Sequence, residues 1–241
     1  MRLKEYECLW EKALIRGKDC ADQLGINGGD LELYQSFMET RNIQVLKNIF
    51  RRVDKFHNPN WQEWAQDYFS LFPPHDFDLS QSTYKFDRFL ALKASNSQIP
   101  PFLVDLAKFE IFEHKVFLSS ARNFRPTKST LRLNKALFLE EFKYLIGEWV
   151  LEFERNKCKE ESPPVMKDNI LAFSRSTDDS RCVVTNVSPV DLILVELLKM
   201  SEMDKEALME RFWSVDDQLK SIDATTLSQR INFLISQHII Y

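Results

Sequence analysis

The stretch that most limits how this chain can fold is PPFLVDLAKFEIFEHKVFL, residues 100–118. A proline pair opens it, and proline suits a helix start because the first amides have no partner inside the helix. At 100° per residue from Phe102, the side chains of Leu106, Phe109, Val116 and Phe117 fall within about 60° of it. Only Lys108 and Lys115 mark a solvent side, so the segment is expected to be the central helix of a bundle. Yet Asp105, Glu110 and Glu113 stand on or beside the apolar stripe. A carboxylate taken out of water must be paired or hydrogen-bonded, or it becomes neutral. The expected partners are Arg41, Arg51 and Arg52 of the preceding long helix, in ion pairs that fix how two helices dock. The other reading sets one or more of these carboxylates at a groove or a partner-protein interface. Glu110 and His114 sit four apart, but with no second His motif this carries no metal site.

Around this helix the first half reads as helical throughout. Leu3, Tyr6, Trp10 and Ala13 share one face of a helix over 3–15. GINGGD (25–30) is a turn with Asp30 as a cap. The helix that follows, 31–56, turns Tyr34, Phe37, Met38, Val45, Ile49, Val53 and Phe56 inward. HNPN ends it, Asn60 caps a helix from Trp61, FPPHDFDLSQS is a loop, and TYKFDRFLALKA is a further helix. Residues 1–120 are therefore expected to be a helical bundle, with 121–130 (ARNFRPTKST) a linker.

Residues 131–241 read as a winged-helix-like α+β domain, which makes the whole chain mainly α with a small antiparallel sheet. LRLNKALFL has partial strand alternation, EFKYLIGEWVLEFE reads as helix, and 156–168 as a loop. ILAFSR and RCVVTN flank the polar turn STDDS, which predicts a hairpin. Ser188, Pro189 and Asp191 then set out a helix start with a capping box. MDKEALMERFW and ATTLSQRINFLISQHII supply two more helices.

Composition excludes several classes of function. Only five Gly, with neither GxxxxGK[ST] nor GxGxxG, argue against a phosphate-binding loop. The net charge of −4 is evenly spread, 15 basic against 17 acidic residues in 1–120 and 17 against 19 in 121–241. A nucleic-acid binder usually shows a basic stripe, and none stands out here. Cys8, Cys20, Cys158 and Cys182 are scattered without CxxC, a pattern of reduced thiols in a cytoplasmic protein. The first residues are broken by acids and do not read as a signal peptide, and no apolar run nears the length of a membrane span.

No nucleophile, acid–base pair or metal-ligand set is recognisable, so no catalytic residue and no metal ligand is assigned. The hairpin suggests binding instead: an extended peptide could add as a strand to an open edge, unless 131–139 or the bundle covers it. Leu171, Phe173, Arg175 and Val184 are the expected peptide contacts, with Arg175 serving acidic residues of the peptide. The alternative, a DNA-binding regulator, would use ATTLSQRINFL as its recognition helix, which carries one basic residue, Arg230.

In order of features the chain resembles the HvfC/BufC family, whose N-terminal domain is catalogued under a DNA-binding label and which is linked, with the methanobactin-biosynthesis protein MbnC, to peptide modification. The resemblance rests on Leu33-Tyr34, Phe50-Arg51-Arg52-Val53, Trp64-x3-Tyr68 before the Pro-Pro loop, and Phe89-Leu90. Its strongest part is Pro101-x-Leu103-x-Asp105-Leu106-Ala107-x-x-Glu110. More loosely it includes Trp149, Leu171-Ala172-Phe173-Ser174-Arg175 and the final LISQHII. The chain departs in having Gln35 where the family has Arg and Arg51 where it has Pro. The second departure weakens the helix-ending signal near residue 50. The resemblance implies a non-catalytic accessory subunit that pairs as a heterodimer with a TIM-barrel, multinuclear iron enzyme and binds the leader of a ribosomal precursor peptide. The iron belongs to the partner, so no cofactor is expected in this chain. Tyr34, Arg51, Arg52, Asp105 and Glu110 are then structural or partner-interface residues.

Overall fold

The computed structural model describes residues 28–73, 79–119, 130–155 and 162–241. The expected helix over 3–15 lies outside them, as does most of the expected linker. The chain is mainly α-helical with one small antiparallel sheet, as its sequence predicts. Two units are distinguished, Met1–Lys85 and Phe86–Tyr241. The helix at 100–118 thus groups with the residues that follow it, whereas the sequence placed it in a bundle ending at 120.

In the first unit α1 (Gly28–Ile49) starts before Asp30, which lies inside the helix rather than capping it. The long helix expected over 31–56 breaks at Phe50, whose backbone leaves the helical region at φ −98°, ψ 49° before α2 (Arg51–His57). Hydrogen bonds run on through the bend, from Phe50 N to Leu46 O at 2.8 Å and from Asp54 N to Phe50 O at 2.9 Å. Leu46, Phe50 and Val53 are all fully buried, so the bend lies on the core side. Phe37, expected inside, is 64% exposed. Asn58 takes a left-handed conformation (φ 45°) that Asn tolerates better than most residues, and it closes α2. Asn60 precedes α3 (Trp61–Leu71) without a side-chain cap bond. The Trp61 indole instead ties back to α2, donating to Asp54 Oδ1 at 2.5 Å. A short α4 (Leu79–Ser82) leads into a 3-10 turn, Thr83–Lys85, and the Tyr68 hydroxyl donates to the Ser82 carbonyl.

The second unit opens with α5 (Phe86–Ser95) and α6 (Phe102–Leu118). Then come β1 (Phe138–Tyr144), α7 (Ile146–Glu154), β2 (Met166–Arg175) and β3 (Cys182–Asn186). The predicted hairpin is β2–β3. EFKY, predicted helical, is instead the end of β1, which pairs antiparallel with β2 from Phe138↔Phe173 to Tyr144↔Met166. Three helices complete the chain: α8 (Pro189–Met200), α9 (Lys205–Val215) and α10 (Ala224–Ser236).

Strand alternation gives the sheet two buried faces. On one, Phe173 packs against Phe109 and Phe112 of α6, with ring centroids 5.2 and 5.5 Å away. Leu171 on the same face leaves only 3.4 Å to the position a Cβ on Gly147 of α7 would take. On the other face Ala172, Leu139 and Ile170 join the core of α8–α10 with Leu194, Leu208, Phe212 and Ile231. A sheet covered on both sides explains why ILAFSR reads as a continuous apolar run rather than an alternating one. The C-terminus is drawn in beside it: Leu133 bridges Ile240, and Asn134 Nδ2 reaches the Arg175 carbonyl at 2.9 Å and the His238 carbonyl at 2.8 Å.

Candidate functional site: the two edges of the sheet and a cleft

The sheet runs β1–β2–β3, so its edges are β1 and β3. An unpaired edge offers a row of amides and carbonyls to any strand that arrives. The two edges are treated differently.

At the Glu141–Tyr144 end of β1, α6 supplies missing partners. The pairing shifts between Phe142 and Tyr144, where β2 advances three residues (Asn169 to Met166) against two on β1, an irregularity with the extra residue on β2. Both the Lys143 and Tyr144 amides turn to Asp105 Oδ2, which accepts them at 2.7 and 3.0 Å. One turn along α6, Lys108 Nζ donates to the Glu141 carbonyl at 2.7 Å and pairs with the Glu140 carboxylate. Asp105 thus stands where a neighbouring strand's carbonyl would, and Lys108 where its amide would. Residues three apart on a helix lie side by side, so one face of α6 can do both. This revises two sequence expectations. Asp105, 7% exposed, is held by backbone amides rather than by Arg41, Arg51 or Arg52. Lys108 does not mark a free solvent side. Burial pushes the Asp105 carboxyl above its ordinary range, against the pull of those two amides and of the Lys108 and Lys143 charges.

At β3 the alternation of ladder bonds can be read from its ends. Ser176 N donates to Arg181 O at 2.8 Å and Val187 N to Ile170 O at 3.0 Å, so odd-numbered residues face β2. The amides and carbonyls of Val184 and Asn186 therefore point away from the sheet, and no hydrogen bond engages them among the described residues. The segment 131–139, one candidate to cover this edge, runs instead into β1 on the far side of β2.

The other residues singled out by sequence separate clearly. Leu171 and Phe173 are 4% and 0% exposed, and their side chains are core rather than contact surface. Arg175 is turned to the end of α6, donating to the Ser119 carbonyl and more distantly to that of Phe117 at 3.5 Å. A cation there complements the partial negative charge of a helix C-terminus, so its guanidinium is engaged rather than waiting for an acidic peptide. Val184 is half-buried and sits on the edge itself. Glu110 is buried on α6 at 2% exposure and Glu113 is half-buried. Tyr34 lies in α1, and Arg51 and Arg52 open α2, the first exposed and the second buried.

A feature that sequence reading missed lies beside the stoppered edge. Residues of α5, α6, β1 and β2 line a half-open cleft of about 980 Å³. Its polar lining is Asp87, Asp105, Lys108, Glu141, Lys143, Tyr144, Asp168 and Asn169. Asp87 Oδ1 is buried there without a hydrogen-bond partner. Burial pushes its carboxyl upward, opposed by the Arg88 amide and by the charges of Arg88, Lys108 and Lys115. No motif flags Asp87, because α5 and β2 are brought together only by folding.

Compared with protein-family models and with curated proteins, the chain finds no match. Among the described residues no cluster of His, Cys, Asp and Glu is placed to hold a metal ion, and no helix is long and apolar enough to cross a membrane.

Proposed function

We propose that this chain is a non-catalytic partner subunit in the cytoplasm. It takes the leader of a ribosomal precursor peptide as an added strand on β3 and presents the rest of that peptide to a TIM-barrel, multinuclear iron enzyme. The single observation that carries the peptide-binding part is the asymmetry of the sheet. At the Glu141–Tyr144 end of β1 the outward groups are met by Asp105 and Lys108, while the outward groups of Val184 and Asn186 have no hydrogen bond among the described residues. Strand addition takes its affinity from such main-chain groups and its specificity from side-chain pockets on alternate residues. The enzyme partner and its iron come from the family resemblance alone.

The DNA-binding alternative is not favoured. Arg230, the one cation of its recognition helix, is bound to Asp191 inside the unit.

Proline at an outward-facing edge position removes an amide the ladder does not use. Val184→Pro should therefore leave the fold intact and abolish binding of the leader, measured by fluorescence anisotropy with a labelled peptide made from the short Cys-containing reading frame expected beside the gene. Unchanged binding in this variant overturns the strand-addition reading. Purification of the tagged chain from its native cytosol, with metal analysis of what accompanies it, tests the rest. A stoichiometric iron-bearing TIM-barrel partner is expected, and a chain that purifies alone overturns the partner role.

A further inference from the structure

A strand added to β3 would present its side chains to both faces of the sheet, and only one of those faces offers them a surface. Cys182, Val184 and Asn186 stand opposite Arg175, Phe173 and Leu171, so their side chains share the face covered by α6 and α7. Val183 and Thr185 turn to the other face. There the Thr185 hydroxyl donates to Gln237 Oε1 at 3.1 Å, and Ser174 Oγ donates to the Gln237 carbonyl at 2.8 Å. That side is occupied by polar bonds of its own. On the α6–α7 side two large apolar side chains stand out in solvent instead, Phe117 at 70% exposure and Leu151 at 53%.

Helix geometry brings both toward the β3 edge. Lys108 turns to β1, and Phe117 lies about 180° round α6 from it, on the flank toward β3. Arg175 donates to the carbonyls of Phe117 and Ser119, which fixes that end of α6 beside the Arg175–Cys182 pair. At the other end of the strand, Gly147 of α7 packs on Leu171, the partner of Asn186. Leu151 follows one turn later on the same face of α7, a helix that also packs on β3 itself. Half-buried Val184 lies between the two ends.

We infer that the segment β3 takes up has an alternating sequence, with apolar side chains at every second residue meeting Phe117, Val184 and Leu151, and polar residues between them. This rests on the strand-addition reading and names the class of peptide that the edge selects. A residue paired with Val184 puts its side chain on the Val184 face, and the residues two away on either side fall on that face too. They stand opposite Cys182 and Asn186, at the Phe117 and Leu151 ends of the edge. Covering an exposed Phe and Leu is favourable when the covering side chains are apolar as well.

The test is titration of the ¹⁵N-labelled full chain with acetyl-Lys-Val-Thr-Val-Thr-Val-Lys-amide, followed by amide chemical shifts. The control is the same peptide with Thr for each Val, which keeps shape and strand preference but adds hydroxyls. Saturable shifts at the Val184 and Asn186 amides are expected with the Val peptide, and the control should bind about 10-fold more weakly. Phe117→Ser and Leu151→Ser, both at exposed positions, should each weaken the Val peptide about 5-fold. Equal binding of the two peptides, or unchanged affinity in both Ser variants, overturns the inference, and strand addition still stands if Val184→Pro abolishes binding. Binding of the Val peptide that survives Val184→Pro overturns both. No binding of the Val peptide overturns the inference alone, and the leader peptide then decides strand addition separately.

Discussion

Arg230 on α10 grips Asp191 in the first turn of α8, its Nε donating to Oδ1 at 2.5 Å and its second nitrogen to Oδ2. The same carboxylate accepts the Ser188 amide at 2.6 Å, while Ser188 Oγ accepts the Asp191 amide in return. One fully buried aspartate therefore closes the cap of one helix and fixes the position of another. Removing one partner of a buried pair leaves the other charge stranded. Arg230→Ala should cost about 3 kcal/mol of unfolding free energy by urea titration. Ser188→Ala, which removes only the side-chain half of the cap, should cost about 1 kcal/mol.

Asp105 predicts a contrast between two substitutions. Ala at this position leaves the Lys143 and Tyr144 amides without their acceptor and should cost about 2 kcal/mol. Asn keeps an oxygen in the same place and should cost well under half of that. Equal losses from Ala and Asn would mean that charge, not acceptance of the two amides, is what α6 contributes at β1.

Asp87 predicts a gain rather than a loss. Its carboxyl is pushed up by burial in the folded state, so folding favours the protonated form. The stabilising effect of that proton is fully present below the ordinary aspartate range and is lost as pH rises through the raised native value. Asp87→Asn should therefore be more stable than the wild type at pH 7. The difference should shrink as pH falls toward about 4, the ordinary aspartate value. Paired thermal melts across that range check the sign.

Phe173 predicts that a residue read from sequence as a peptide contact acts through the core. Its ring lies among those of Phe109, Phe112 and Phe142, with no exposure. Phe173→Ala should cost about 3–5 kcal/mol, typical for emptying a buried aromatic site. Val184→Ala on the half-buried edge should cost far less. A small loss at Phe173 would contradict the packing of α6 on the sheet.

What the sequence made legible was local. The cap of α8 could be read because Ser188, Pro189 and Asp191 act on one another within a single turn. The β2–β3 hairpin could be read because two apolar runs flank a short polar turn. EFKY was misread because an amphipathic segment becomes a strand only when a partner pairs with it, and its partner, 166–170, lies beyond α7. Leu171 and Phe173 looked available because alternation tells which face a side chain takes, but not that α6 and α7 cover that face. Lys108 looked like solvent-side punctuation for the same reason: a helical wheel gives direction, and the edge of β1 supplies what lies in that direction. Asp105 and Lys108 were nonetheless within reach, since a carboxylate and a cation three residues apart on a buried helix can satisfy a strand as well as each other.

The stopper at β1 has a consequence for how copies of this protein can associate. Endless edge-to-edge growth needs two adhesive margins on every protomer, one to receive and one to offer. Here Asp105 and Lys108 occupy the Glu141–Tyr144 end of one margin, so a strand arriving at that end finds its main-chain groups already taken. Two copies that meet through β3 would present that blocked end on their outer rims. Growth of this sheet by strand addition is therefore opposed at one end of β1.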